Sequence, residues 1–103
     1  MKKKQLVRLK FNEDVFKRDN HKCVFCNIKE NLDAHHITDR NKMPNGGYVK
    51  ENGISLCEKH HMDAEKYHIT DGKEWVENMH PSDLYLKIGS SYEEAIKSSE
   101  RLK

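Results

Sequence analysis

Two ligand-type pairs constrain this chain more than any other feature. Cys23-x-x-Cys26 and Cys57-x-x-His60 each set two metal-binding side chains three positions apart. That spacing lets both side chains of a knuckle reach one tetrahedral ion. The set offered is Cys3His, a closed donor set of the structural kind, and zinc is the ion it suits. About thirty residues separate the pairs, far more than the ~12 of a C2H2 DNA-binding finger, so the intervening segment must hold a structure of its own. Three cysteines are an odd number, which argues against a closed disulfide framework.

Composition explains why a staple is needed. Only 35% of the 103 residues are hydrophobic and mean hydropathy is −1.01. A core drawn from so few apolar residues is thin, and such domains lean on a metal, a disulfide or a partner. The length is that of one domain. Net charge is only +2, but residues 1–22 carry eight Lys or Arg against three acids. A basic leading end suits contact with phosphates; a solvated terminus explains it equally well. No apolar run approaches the ~20 residues of a membrane span. The Lys-rich start has no apolar stretch of the signal-peptide kind, so the expected setting is the cytoplasm, with no membrane partner.

The pattern along the chain predicts an α+β fold. Residues 11–19 read as a short helix capped by Asn12, with Phe11 and Val15 as its packing face, after a segment 1–10 that is loose at its start. Residues 31–37 alternate weakly and read as a strand. Residues 39–47 hold Pro44, Asn45, Gly46 and Gly47, all turn formers. Tyr48-Val49 resumes extended structure, Glu51-Asn52-Gly53 turns, and Ile54-Ser55-Leu56 leads into Cys57. Residues 58–67 favour helix. Pro81 opens a helix that stops at Gly89, and Ser91-Tyr92-Glu93-Glu94 is a capping box for a last helix to about Leu102. Residues 71–81 are a weak linker candidate, dividing a motif-bearing part, 1–70, from a helical C-terminal tail, 71–103. Phe25, Tyr48 and Ile54 are expected to pack the core and Trp75 the tail; His21 and His80 are expected at the surface.

Seven histidines are unevenly placed. His35-His36 and His60-His61 are adjacent pairs, and His68 follows. With His60 given to zinc, His35, His36 and His61 remain. Neighbours on a strand point to opposite faces, so one of His35 and His36 can hold a metal while the other faces substrate.

Taken together, Cys23-x-x-Cys26, Asp33-Ala34-His35-His36-Ile37, Asn52 and Leu56-Cys57-x-x-His60-His61 resemble the HNH endonuclease family. Asn52 falls 16 residues after His36 and His61 falls 9 after Asn52, in agreement with that pattern, and the resemblance covers about residues 11–68. Met43-Pro44-Asn45-Gly46-Gly47-Tyr48 is also similar to variants common in bacteriophage genomes. The resemblance implies a small zinc-stapled ββα-metal domain with flanking helices, in which a hairpin and a helix hold one divalent ion. It implies that His35 and His61 bind this ion, that His36 is the general base, and that Asn52 holds the loop of the first strand by hydrogen bonding. The implied activity is hydrolysis of DNA phosphodiester bonds, by nicking or double-strand cleavage, leaving 5′-phosphate and 3′-hydroxyl ends. An imidazole of pKa about 6.5 can take a proton from water near neutrality, and general-base action is worth ~10²–10⁴-fold.

One departure concerns the metal. Many members place a third metal-binding His four residues after the helix His; here Glu65 stands there. A carboxylate one helical turn on lies on the same face and could bind Mg²⁺ or Mn²⁺, although Ni²⁺ and Zn²⁺ stay open and a solvated helix side is the plain alternative. His68 shares that face. Arg40 and Lys42, after His36, are candidate phosphate contacts. DNA is the implied partner, with a protein of phage DNA processing as a further one, in the host cytoplasm if the chain is phage-encoded. The competing reading is a non-catalytic zinc-stapled module that binds nucleic acid. It explains the four zinc donors but not His35-His36, Asn52 and His61 at their spacing.

Overall fold

The computed structural model describes residues 3–102. Its elements are α1 (Lys3–Arg18), β1 (Asp33–His36), β2 (Gly53–Leu56), α2 (Glu58–Ile69), α3 (Pro81–Lys87) and α4 (Tyr92–Glu100), with three short 3-10 turns in the loop between the strands. The result is a small α+β fold. β1 and β2 pair antiparallel, with Asp33 opposite Leu56, His35 opposite Ile54 and His36 opposite Gly53. A lone two-stranded sheet is marginal in water. Here α1 covers one face and α2 the other, and all four residues of β2 are buried.

α1 is longer than its sequence pattern predicts. It starts at Lys3 and runs unbroken through Asn12, which is exposed in mid-helix and caps nothing. Lys, Gln, Leu and Arg are strong helix formers, and Phe11 and Val15, one turn apart, bury against the sheet. No break is needed between residues 10 and 12. The helix sits unusually close to β2 because Gly53 has no side chain. A Cβ there would fall 2.5 Å from Val15 Cγ2 and 2.7 Å from Phe11 Cε1. Arg18 and Asp19 pin the helix end: Arg18 donates to both Asp19 carboxylate oxygens and to the carbonyls of Lys50 and Gly53. Asp19 in turn accepts from the Ser55 amide at 2.9 Å, closing the open edge of β2.

β1 is shorter than predicted, because Asn31 adopts a left-handed φ of 52° that ends extended pairing before Asp33. Tyr48-Val49 joins no strand: Tyr48 turns (φ −82°, ψ 59°), and Val49 alone is extended (φ −130°, ψ 151°) before the 3-10 turn that delivers Asn52. The last two helices form as their caps predict. Ser91 Oγ accepts from the Glu94 amide at 3.1 Å, and Gly89 follows α3 at φ 71°.

Residues 71–81 are mostly exposed or half-buried. Met79 is buried, and Leu84, Tyr85 and Ala95 join Ile37, Ile54, Leu56 and Cys57 in one apolar cluster. Trp75 is not in that core. It is 47% exposed, edge-on to His80 at 4.7 Å between ring centroids. His80 is half-buried and caps α3, its Nδ1 accepting from the Ser82 amide. Among the described residues, no helix is long and apolar enough to cross a membrane.

Candidate metal centres

The two knuckles meet at the start of α2. Cys23 and Cys26 come from the turn after α1, and Cys57 and His60 from the entry to α2. All four donor atoms lie within 4.8 Å of one another. Cys26 Sγ is 3.7 Å from Cys57 Sγ, and Cys23 Sγ is 3.6 Å from His60 Nδ1. With Zn–S of about 2.3 Å and Zn–N of about 2.0 Å, the edges of a tetrahedron would be about 3.5–3.8 Å. These two separations match, Cys57 Sγ to His60 Nδ1 is shorter at 3.2 Å, and the four residues could hold a structural metal such as zinc. No disulfide competes, since all three cysteines are free. At Cys23 burial opposes the thiolate, but backbone donors at Cys57, Phe25 and Cys26 outweigh it and lower the pKa. Phe25 stacks on His60 at 5.4 Å and Lys87 of α3 lies over Phe25, so the tail reaches one side of the cluster, while Cys26 stays exposed.

A second cluster forms where β1 faces α2. Asp33 and His35, two apart on the strand, point toward the helix. His61, Glu65 and His68 answer from one helical face, at the i, i+4, i+7 spacing. The donor atoms of His35, Glu65 and His68 gather within 4.8 Å. His35 is 2% exposed. Its Nδ1 lies 3.2 Å from Glu65 Oε1, without hydrogen-bond geometry, and neither ring nitrogen has a hydrogen-bond partner. Leaving such a group unsatisfied costs about 1–3 kcal/mol. With Nδ1 facing Glu65, the unpartnered Nε2 leaves a ring lone pair free, and two imidazoles with a carboxylate make a divalent-ion set. Burial pushes the His35 pKa down despite Glu65, while contact with His35 holds Glu65 at about 2. His35 is thereby kept neutral and Glu65 ionised, the forms that bind metals.

His61 flanks this cluster, its ring 5.1 Å from that of His35. Its Nε2 contacts Glu65 Oε1 at 3.2 Å and its Nδ1 contacts Asp33 Oδ2 at 3.1 Å. His68 occupies the third position, its ring stacked on His35 at 5.2 Å and its Nε2 3.0 Å from the His36 carbonyl. The period of the strand could have identified Asp33, two residues before His35 and therefore on the same face.

His36 projects to the opposite face of β1. Its ring stacks on Phe11 of α1 at 4.6 Å and meets Tyr48 edge-on at 4.7 Å. Its Nε2 is buried without a partner. Burial, then the neighbouring His35, pushes its pKa down to about 4, so the imidazole is neutral near pH 7. Asn52 ties together the loop beyond the histidines. It is fully buried, its Oδ1 accepts from the Thr38 amide at 3.0 Å and from the Tyr85 hydroxyl at 2.7 Å, and its Nδ2 donates to the carbonyls of Thr38 and Gly47. Gly47, at φ 67°, must be glycine: a Cβ would stand 2.7 Å from Asn52 Nδ2. No sequence spacing signals Tyr85, which lies 33 residues from Asn52.

Arg40 and Lys42 diverge. The Arg40 guanidinium reaches the Tyr48 hydroxyl at 3.5 Å, near His36. Lys42 turns away to Asp71 at 3.2 Å, so its charge is already paired. Comparison with known protein families, with curated proteins and with solved structures finds no match for this chain.

Proposed function

We propose that this protein is a metal-dependent DNA endonuclease of the HNH type, in which β1, β2 and α2 form a ββα-metal unit beside a zinc staple. The observation that carries the reading is the convergence at His35: a buried imidazole 3.2 Å from the Glu65 carboxylate, its ligand atom gathered with those of Glu65 and His68, and one residue from His36, whose buried Nε2 has no partner. A structural role alone leaves the three gathered ligand atoms and that nitrogen unexplained. A divalent ion and a hydrolytic water explain both.

His35, Glu65 and His68 would hold the ion, with His61 positioning Glu65 through its Nε2 contact. Once bound, such an ion polarises a phosphodiester and stabilises the leaving 3′ oxygen. His36 is the general base at the end of β1: its Nε2 is buried without a protein partner, and the attacking water, admitted beside it, would give up its proton there. Phe11 and Tyr48 clamp the ring and limit its rotation. Asn52 is a positioning residue, since it fixes Thr38, two residues past His36. The products are a 5′ phosphate and a 3′ hydroxyl.

Supercoiled plasmid incubated with Mg²⁺ or Mn²⁺ tests the proposal. The wild type should nick or linearise it, and His36→Ala should lose about 10²-fold or more in rate at equal zinc content and equal circular dichroism. If neither protein cuts with any divalent ion, yet both hold zinc and shift DNA on a gel, the zinc-stapled binding module is the correct account.

A further inference from the structure

A second surface joins the His36 face. Between the start of α1 and the turn at Asn45 lies a hollow of about 560 Å³, lined by Lys3, Lys4, Val7, Arg8, Asn45, Tyr48 and Leu102. Three of these side chains are cationic and none is acidic. Among the described residues, Lys3, Lys4 and Arg8 form no ion pair. At the inner wall of the hollow the Arg8 guanidinium sits over the Tyr48 ring, 5.9 Å from its centroid. Arg40 approaches the hydroxyl of the same ring from the other side. The two arginines draw the Tyr48 pKa down even though burial opposes this. Two guanidinium groups thus converge on one phenol; Asp39 offsets part of the Arg40 charge, and Arg8, without an ion pair among the described residues, is left for an anion. Tyr48 in turn touches the His36 ring.

The hollow on the other side of the histidines has a different character. It holds about 650 Å³, and its walls include Asp39, Asp71 and Glu93, with Lys42 as the one Lys or Arg. Lys42 is already paired with Asp71. His68, a candidate ligand of the ion, also lines this hollow, so the scissile phosphate reaches its edge, while the three acids disfavour phosphates farther in and the α1 side favours the flanking ones.

We infer that Lys3, Lys4, Arg8 and Arg40, arranged around Tyr48, form the binding track for the DNA backbone, carrying phosphates that flank the scissile one along α1 from the His36 end of β1. This rests on the proposal that DNA is the substrate. It selects three of the basic residues at the start of the chain and sets Lys42 aside. Tyr48 is a positioning residue, holding both arginines beside His36.

Fluorescence anisotropy with a short labelled DNA duplex, measured over a series of salt concentrations without added divalent ion, tests the inference. Each phosphate contact contributes about −0.9 to the slope of log K against log salt. The triple variant Lys3→Gln/Lys4→Gln/Arg8→Gln should flatten the slope by about two to three, and Arg8→Gln alone by about one. Lys29→Gln/Lys59→Gln/Lys97→Gln removes the same charge from other surfaces and should leave the slope near that of the wild type. A slope unchanged in the first triple, or reduced equally in both, overturns the track. Plasmid cleavage separates this from the catalytic reading. A protein that cuts DNA with an unchanged slope refutes the track alone; one that never cuts but loses slope only in the first triple refutes the nuclease and keeps the track.

Discussion

Replacing Asn52 by Ala removes four hydrogen bonds from a fully buried side chain. The Tyr85 hydroxyl keeps Thr38 Oγ1, 2.6 Å away, so it is not orphaned. The Thr38 amide, the Thr38 carbonyl and the Gly47 carbonyl each lose a partner. An orphaned buried polar group costs about 1–3 kcal/mol. Taking about 1 for each partly buried Thr38 group and about 2 for the buried Gly47 carbonyl gives about 4 kcal/mol. Domains have only about 5–15 kcal/mol in total, so the variant should be close to unfolding. Asn52→Asp sharpens the argument. It keeps the acceptor for Thr38 and Tyr85 but sets an oxygen against two carbonyls, so it should cost at least about 2 kcal/mol although it is nearly isosteric. Tyr85→Phe should cost about 1 kcal/mol. Urea unfolding of zinc-saturated protein, followed by circular dichroism and extrapolated linearly, measures all three. A loss below about 1 kcal/mol for Asn52→Ala, with an unchanged m-value, would refute the claim that this amide holds the loop.

The remaining predictions concern the staple and the seat of α1. Structural zinc binding is worth about 10–16 kcal/mol, as much as the whole stability of a small domain, so a chelator should abolish the cooperative thermal transition and added zinc should restore it. Cys57→Ser should lose bound zinc and behave like the chelated wild type; an intact transition in either case shows that the cluster is not a staple. Gly53→Ala drives a Cβ to 2.5 Å from Val15 Cγ2 and should cost about 1–3 kcal/mol by overpacking. An effect within about 0.5 kcal/mol in urea would mean that α1 is not held at that distance.

What the sequence determined by itself is local. The spacing of Cys23, Cys26, Cys57 and His60 follows from how far a knuckle's side chains can reach, so the four-donor cluster was legible before any fold was known. The opposite directions of His35 and His36 follow from the pleat of a strand. The shared face of His61, Glu65 and His68 follows from the helical repeat, as the Ser91 cap and the stop at Gly89 follow from backbone preference. What tertiary structure alone decided lies in the contacts between elements. Which α2 side chains close on His35 depends on the helix's rotation about its own axis, and that rotation seats His68 in the cluster and leaves His61 bridging Glu65 and Asp33. The early start of α1, over residues 3–10 that bury nothing, reflects local helix propensity, whereas the seat of Phe11 and Val15 on the sheet is a contact that no window of α1's sequence contains. Asn52 found Tyr85, and Arg8 and Arg40 found Tyr48, because packing around a thin core brings together residues whose separation along the chain carries no period. Periodicity reports the geometry of one element; the meeting of two elements is fixed by the apolar area they bury against each other.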